Sequence, residues 1–147
     1  NWDNAIYGNR FNKKQKIMAR FGKRSKQRLK GVDPRIVEVL NQLIKIMDVT
    51  IIEGVRSAKT QYKYFLDGKS KLDGTTKKSK HQLGKAVDLA PYPVKWQNSA
   101  RFYYMGGMIK GIAKEKGIKI RWGGDWDSDG EVLDQTFMDL VHIEVLD

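Results

Sequence analysis

The sequence predicts a small α+β domain in which helices pack on a short antiparallel sheet. Three observations carry this expectation. The chain has 147 residues, the size of one domain built around a single core. Segments with helical apolar spacing are mixed with short β-branched runs, without regular βαβ alternation. No stretch of the chain repeats another.

Residues 1–30 are polar and basic with scattered apolar positions, and read as a partly ordered arm ahead of a domain over 31–147. Asp33-Pro34 then supplies an N-cap followed by proline at the first helical position. Ile36, Val37, Val39, Leu40, Leu43, Ile44 and Met47 follow at helical spacing and predict a helix over 34–47. Thr50 to Val55 is β-branched and short, which predicts a strand. A second helix over 58–67 closes at Gly68, and the Lys-, Gly- and Thr-rich residues 68–80 form a loop. Ala86 to Leu89 reads as a buried strand broken by Pro91 and Pro93. A third helix runs from Ser99 to Lys116, ending at Gly117. Ile118–Trp122 and Leu140–Leu146 are the remaining strands, joined by an acidic, Gly-containing loop.

Composition excludes several chemistries. The chain has no cysteine, so disulfides, thiol catalysis, iron–sulfur clusters and Cys-type zinc sites are ruled out. No apolar run approaches the roughly 18 residues needed to span a bilayer. No secretory signal is visible at the start. The net charge of +11 is uneven: residues 1–32 carry +9, and the other 115 carry +2. Such an arm attracts polyanions or simply keeps the chain soluble. Aromatics between Tyr62 and Tyr104 invite a nucleic-acid reading beside this charge, but most sit where helices would pack onto the sheet.

Both histidines stand in informative places. His81 lies in Ser79-Lys80-His81-Gln82-Leu83-Gly84-Lys85-Ala86-Val87-Asp88, and His142 in Asp139-Leu140-Val141-His142-Ile143-Glu144. Without cysteine, His81, Asp88 and His142 form the plausible three-ligand set, and a catalytic zinc wants three protein ligands with a further position open. The same residues also fit two ordinary hydrogen-bonded histidines flanked by acids. A weaker motif, Asp125 to Glu131, resembles the first half of a calcium loop. Its twelfth position is Thr136, where an EF-hand needs a bidentate Glu.

The pattern Ser-x-His-x-x-Gly-x-Ala-x-Asp with a late Asp-x-x-His-x-Glu resembles the zinc D,D/L,D-peptidases, and most closely the bacteriophage L-alanyl-D-glutamate endolysins. Phe21-Gly22-Lys23, Gly54-Val55-Arg56-Ser57, Val87 to Tyr92 and Trp122-Gly123-Gly124-Asp125-Trp126 follow in the same order. The resemblance spans residues 21–147 and leaves out 1–20.

It implies that His81, Asp88 and His142 hold zinc, that Asp139 is the catalytic carboxylate, and that Arg56 neutralises the oxyanion. Ser79, Glu144 and Trp122 take supporting or pocket positions. The implied activity is zinc-dependent cleavage of the peptidoglycan stem peptide between L-alanine and D-glutamate by an activated water. Two alternatives stand beside it: a D-alanyl-D-alanine carboxypeptidase, and a basic protein binding nucleic acid or an anionic polymer. On the endolysin reading the chain is a monomer made in the host bacterial cytoplasm and acting on the cell wall. No nucleic-acid partner is expected, and the arm would meet anionic envelope polymers.

Overall fold

The computed structural model describes residues 19–147. Four helices and four strands lie among these residues: α1 (Lys23–Arg28), α2 (Pro34–Leu43), β1 (Val49–Glu53), α3 (Ala58–Leu66), β2 (Ala86–Pro91), α4 (Ser99–Glu115), β3 (Ile120–Gly123) and β4 (Asp139–Val145). The strands form one antiparallel sheet in the order β1-β2-β4-β3. The α+β class expected from the sequence is the one observed. None of the described helices is long and apolar enough to cross a membrane.

Local chemistry explains most boundaries. Asp33 caps α2 by accepting the N–H of Arg35 at 2.9 Å, and Pro34 follows it. The helix ends at Leu43 rather than 47, because Lys45 and Ile46 tighten into three-residue turns on the carbonyls of Gln42 and Leu43. Gly117 closes α4 with φ +69°. The N–H of Gly117 reaches Lys114 O, and that of Ile118 reaches Ala113 O, a Schellman arrangement. Ile118 is therefore spent on the helix end, and β3 begins two residues later than its apolar run suggests. In β2 the strand continues to Pro91, which occupies the last position, beyond the stretch Ala86–Asp88 that pairs with β4.

One face of the sheet makes the core. Ile51, Val87, Leu89, Ile143 and Val145 are buried against Ile36, Leu40 and Leu43 of α2 and Phe102, Met105 and Ile109 of α4. Trp122 joins them. A Cβ at Gly106, in the middle of α4, would lie 2.3 Å from its ring, so a glycine there admits the indole. The expectation that most of the aromatics pack helices onto the sheet is corrected. Phe102 is buried and Tyr103 meets Trp122 edge-on, whereas Tyr62, Phe65, Tyr92, Trp96 and Tyr104 are exposed. In α3 the one buried residue is Gln61; Tyr62 and Phe65 look outward, and Tyr64 is half-buried.

The described part of the basic arm, residues 19–30, is packed. Phe21 is buried in the core, Ser25 Oγ accepts the N–H of Ile51 at 3.1 Å, and Arg28 Nη1 donates to Ile51 O at 2.8 Å. Charge hid this segment: six of the residues from Arg20 to Lys30 are cationic, and their apolar anchors are few. Residues 1–18 lie outside the described part.

Candidate active site

The opposite face of the sheet carries the polar residues. Strand register sets them out: Asp88 of β2 stands opposite His142 of β4, and Ala86 opposite Glu144. On the other flank Arg121 of β3 stands opposite Glu144. Residues two apart on a strand share a face, so His142 and Glu144 look the same way. His81 arrives from the turn before β2. That turn is closed by Ser79, whose Oγ accepts the N–H of Gln82 at 3.2 Å.

Both imidazoles aim one nitrogen at the same oxygen. His81 Nε2 lies 3.3 Å and His142 Nδ1 3.1 Å from Asp88 Oδ1. Their other nitrogens are held from behind, His81 Nδ1 by Gly54 O at 3.0 Å and His142 Nε2 by Glu144 Oε1 at 2.9 Å. Gly54 is obligatory for this, since a Cβ there would fall 1.8 Å from Arg28 O. One ligand atom from each of His81, Asp88 and His142 lies within 4.8 Å of the others, so the trio can hold a metal ion. The donor set fits zinc: two imidazole nitrogens and one carboxylate oxygen, with the outward N–H of each ring already satisfied.

The electrostatics follow from this crowding. Burial pushes the Asp88 carboxyl up, but hydrogen bonds from His142 and His81 outweigh it and hold it well below the usual carboxylate range. Burial opposes charging of His142, yet Asp88 and Glu144 outweigh it and raise its pKa to about 9. Glu144, although buried, is lowered by His142 and Arg121. Asp139 is the exception. Burial first, and the Asp88 charge second, raise its pKa above the ordinary value.

These groups line one open cleft of about 490 Å³, together with Arg56, Ser79, Tyr64, Trp126 and Phe137. Asp139 begins β4 beside Gly123, where a Cβ would lie 2.1 Å from Asp139 O. Arg56 follows the bulged end of β1. Its Nε binds the Glu53 carboxylate, its Nη1 donates to Gln61 Oε1 at 2.8 Å, and its guanidinium lies 4.7 Å from the Tyr64 ring centre. Gln61 spends its amide on Ser70 Oγ and Leu72 O. It thereby ties Arg56 to the loop over 68–80.

Of the expected residues, His81, Asp88, His142, Asp139, Arg56, Ser79 and Glu144 meet in this cleft. Trp122 does not. It is buried in the core with its Nε1 donating to Leu140 O at 2.9 Å, and Trp126 faces the cleft instead, 5.5 Å from the His142 ring. The chain reverses through Gly123-Gly124, with Trp122 bridged to Asp125, and strand alternation cannot be carried across such a turn. Gln61 and Trp126 escaped the sequence reading, although Trp126 closes the Trp-Gly-Gly-Asp-Trp block. In the acidic loop, Asp125 accepts the backbone N–H groups of Asp129 and Gly130, so its carboxylate serves the turn itself.

The profile of the phage L-alanyl-D-glutamate peptidase family matches residues 17–146. The chain belongs to this family. A relative, the L-alanyl-D-glutamate peptidase of Escherichia phage T5, is 32% identical over 121 residues, covering 79% of this chain and 88% of the relative. Among solved structures, the L-Ala D-Glu endopeptidase ChiX of Serratia marcescens superposes with a TM-score of 0.70 at 25% identity. That overlap covers 90% of this chain and 94% of ChiX. For a member of the phage L-alanyl-D-glutamate peptidase family, the cleft described above is the candidate active site.

Proposed function

We propose that this chain is a zinc-dependent endopeptidase that cuts peptidoglycan stem peptides between L-alanine and D-glutamate, as a phage endolysin. The observation that carries the reading is the convergence of His81 Nε2 and His142 Nδ1 on Asp88 Oδ1, within the cleft that also holds Asp139 and Arg56. His81, Asp88 and His142 would hold the zinc. When bound, zinc supplies Lewis-acid polarisation of the scissile carbonyl and acidifies a water to a pKa near 7.

The remaining work belongs to the chain. The Asp139 carboxylate takes the proton of the attacking water and returns it to the leaving nitrogen of D-glutamate. Its raised pKa suits both halves of that transfer, since a group nearer neutrality accepts and releases a proton more evenly. Arg56, fixed by Glu53 and Gln61, presents a cation toward the charge that develops on the carbonyl oxygen. Trp126 and Phe137, stacked at 6.1 Å, form an apolar wall beside His142. The basic residues ahead of α2 suit anionic envelope polymers, and the chain is read as a monomer made in the host cytoplasm.

Digestion of purified muropeptides tests the bond assignment. Mass spectrometry should find new alanine carboxyl termini and glutamate amino termini. Release of terminal D-alanine instead would point to a carboxypeptidase.

A further inference from the structure

We propose that Arg121 is a positioning residue for the metal centre, acting through Glu144 and Trp126 rather than on substrate. This rests on the reading that His81, Asp88 and His142 hold zinc. The geometry is a brace of two arms. Across the β3–β4 register, Arg121 Nη2 donates to Glu144 Oε2 at 2.9 Å, while Glu144 Oε1 takes the His142 Nε2–H at 2.9 Å. The two oxygens of one buried carboxylate are thus divided between the arginine and the ligand histidine. The second arm is a stack: the Arg121 guanidinium lies 5.7 Å from the Trp126 ring centre, and Trp126 lies 5.5 Å from the His142 ring.

Arg121 therefore touches both groups that hold His142 from behind and from the side. Its Nε is buried with no hydrogen-bond partner among the described residues, so the guanidinium is held by Glu144 and the indole. Fixing the Glu144 rotamer fixes the orientation of the His142 ring. Nε2–H is kept toward Glu144, and Nδ1 is left as the nitrogen that faces Asp88. Without the cation, Glu144 keeps one partner in a buried site and is free to turn away from His142.

The test is the zinc dissociation constant, measured by chelator competition on the full chain. Arg121→Met, with Arg121→Gln as a second variant should the first not fold, is expected to weaken zinc by about tenfold, the lower end for groups behind a ligand. Arg121→Lys, which restores a cation for Glu144, should recover most of that loss. In a Glu144→Gln background the Arg121→Met effect should shrink to within about twofold, because coupled residues do not add. Unchanged affinity in Arg121→Met, a lysine variant as weak as the methionine one, or an equal penalty in both backgrounds would overturn the inference. A wild-type chain that takes up no zinc would instead sink the metal reading itself, and this inference with it.

Discussion

Asp88 and His142, 54 residues apart in sequence, are direct cross-strand neighbours, and Asp88 Oδ1 lies 3.1 Å from His142 Nδ1. The sheet brings two ligand candidates together through one pair of strands, and His81 joins from the turn that enters β2. The carboxylate then sits between two imidazoles. That arrangement stores charge in the metal-free chain and offers three donors to a cation.

Zinc should compete with a proton at this site. His142 has a folded pKa of about 9, above its ordinary 6.5, because Asp88 and Glu144 outweigh the cost of burial. Its contribution to the metal-free fold is fully present below pH 6.5 and is lost as pH rises through about 9. Metal binding must release that proton, so zinc affinity should rise with pH across the same window, by up to about tenfold per unit. Chelator competition at pH 6.5, 7.5 and 8.5 checks this; a flat profile would contradict it.

Asp139→Asn should separate chemistry from metal binding. The substitution keeps the shape and removes the proton acceptor, so zinc stoichiometry and melting temperature should hold. Turnover on muropeptides should fall by at least ~10²-fold. In the wild type, activity should decline on the acid side as pH drops through the raised Asp139 pKa, and residual activity in the variant should lack that limb. Near wild-type cleavage by Asp139→Asn would remove Asp139 from the mechanism.

Gly123→Ala should damage the same step from the backbone. The new Cβ would meet Asp139 O at 2.1 Å, which the start of β4 can relieve only by moving. A stability loss of about 1–3 kcal/mol is expected for such overpacking. Turnover should drop with zinc still bound, as read from thermal melts, metal analysis and steady-state rates.

The two tryptophans should fail differently. Trp122 fills the core against Gly106 and Gly124, so Trp122→Ala should cost about 3–5 kcal/mol of stability. Trp126 is half-buried at the cleft, so Trp126→Ala should leave the melting temperature within a few degrees and act on muropeptide turnover. Denaturant melts of both variants beside kinetics make the comparison.

What the sequence made legible was what local chemistry controls. Asp33-Pro34 starts α2 and Gly117 ends α4 because capping and positive φ are local demands. The candidate trio His81, Asp88 and His142 was legible because the chain has only two histidines and no cysteine, and because the motifs around them resemble those of the zinc D,D/L,D-peptidases. Pairings set over long distances were not: the Asp88–His142 register and the Arg121–Glu144 pair depend on strand order, which periodicity does not contain. Trp122 and Trp126 could not be told apart because the Gly123-Gly124 reversal breaks alternation between them. Helix α1 was hidden by its charge, and Gln61 by being polar at a position that turned out to be fully buried.

Whether His81, Asp88 and His142 hold a zinc on which cleavage depends is read out by reconstitution. The chain is stripped with chelator, zinc is returned in fractions of an equivalent, and muropeptide cleavage is followed at each step. The stripped chain should not cleave, cleavage should rise linearly to a plateau at about one zinc per chain, and His142→Ala should show no rise at the same additions. Full cleavage by the stripped chain, or an unaltered titration for His142→Ala, would contradict this assignment.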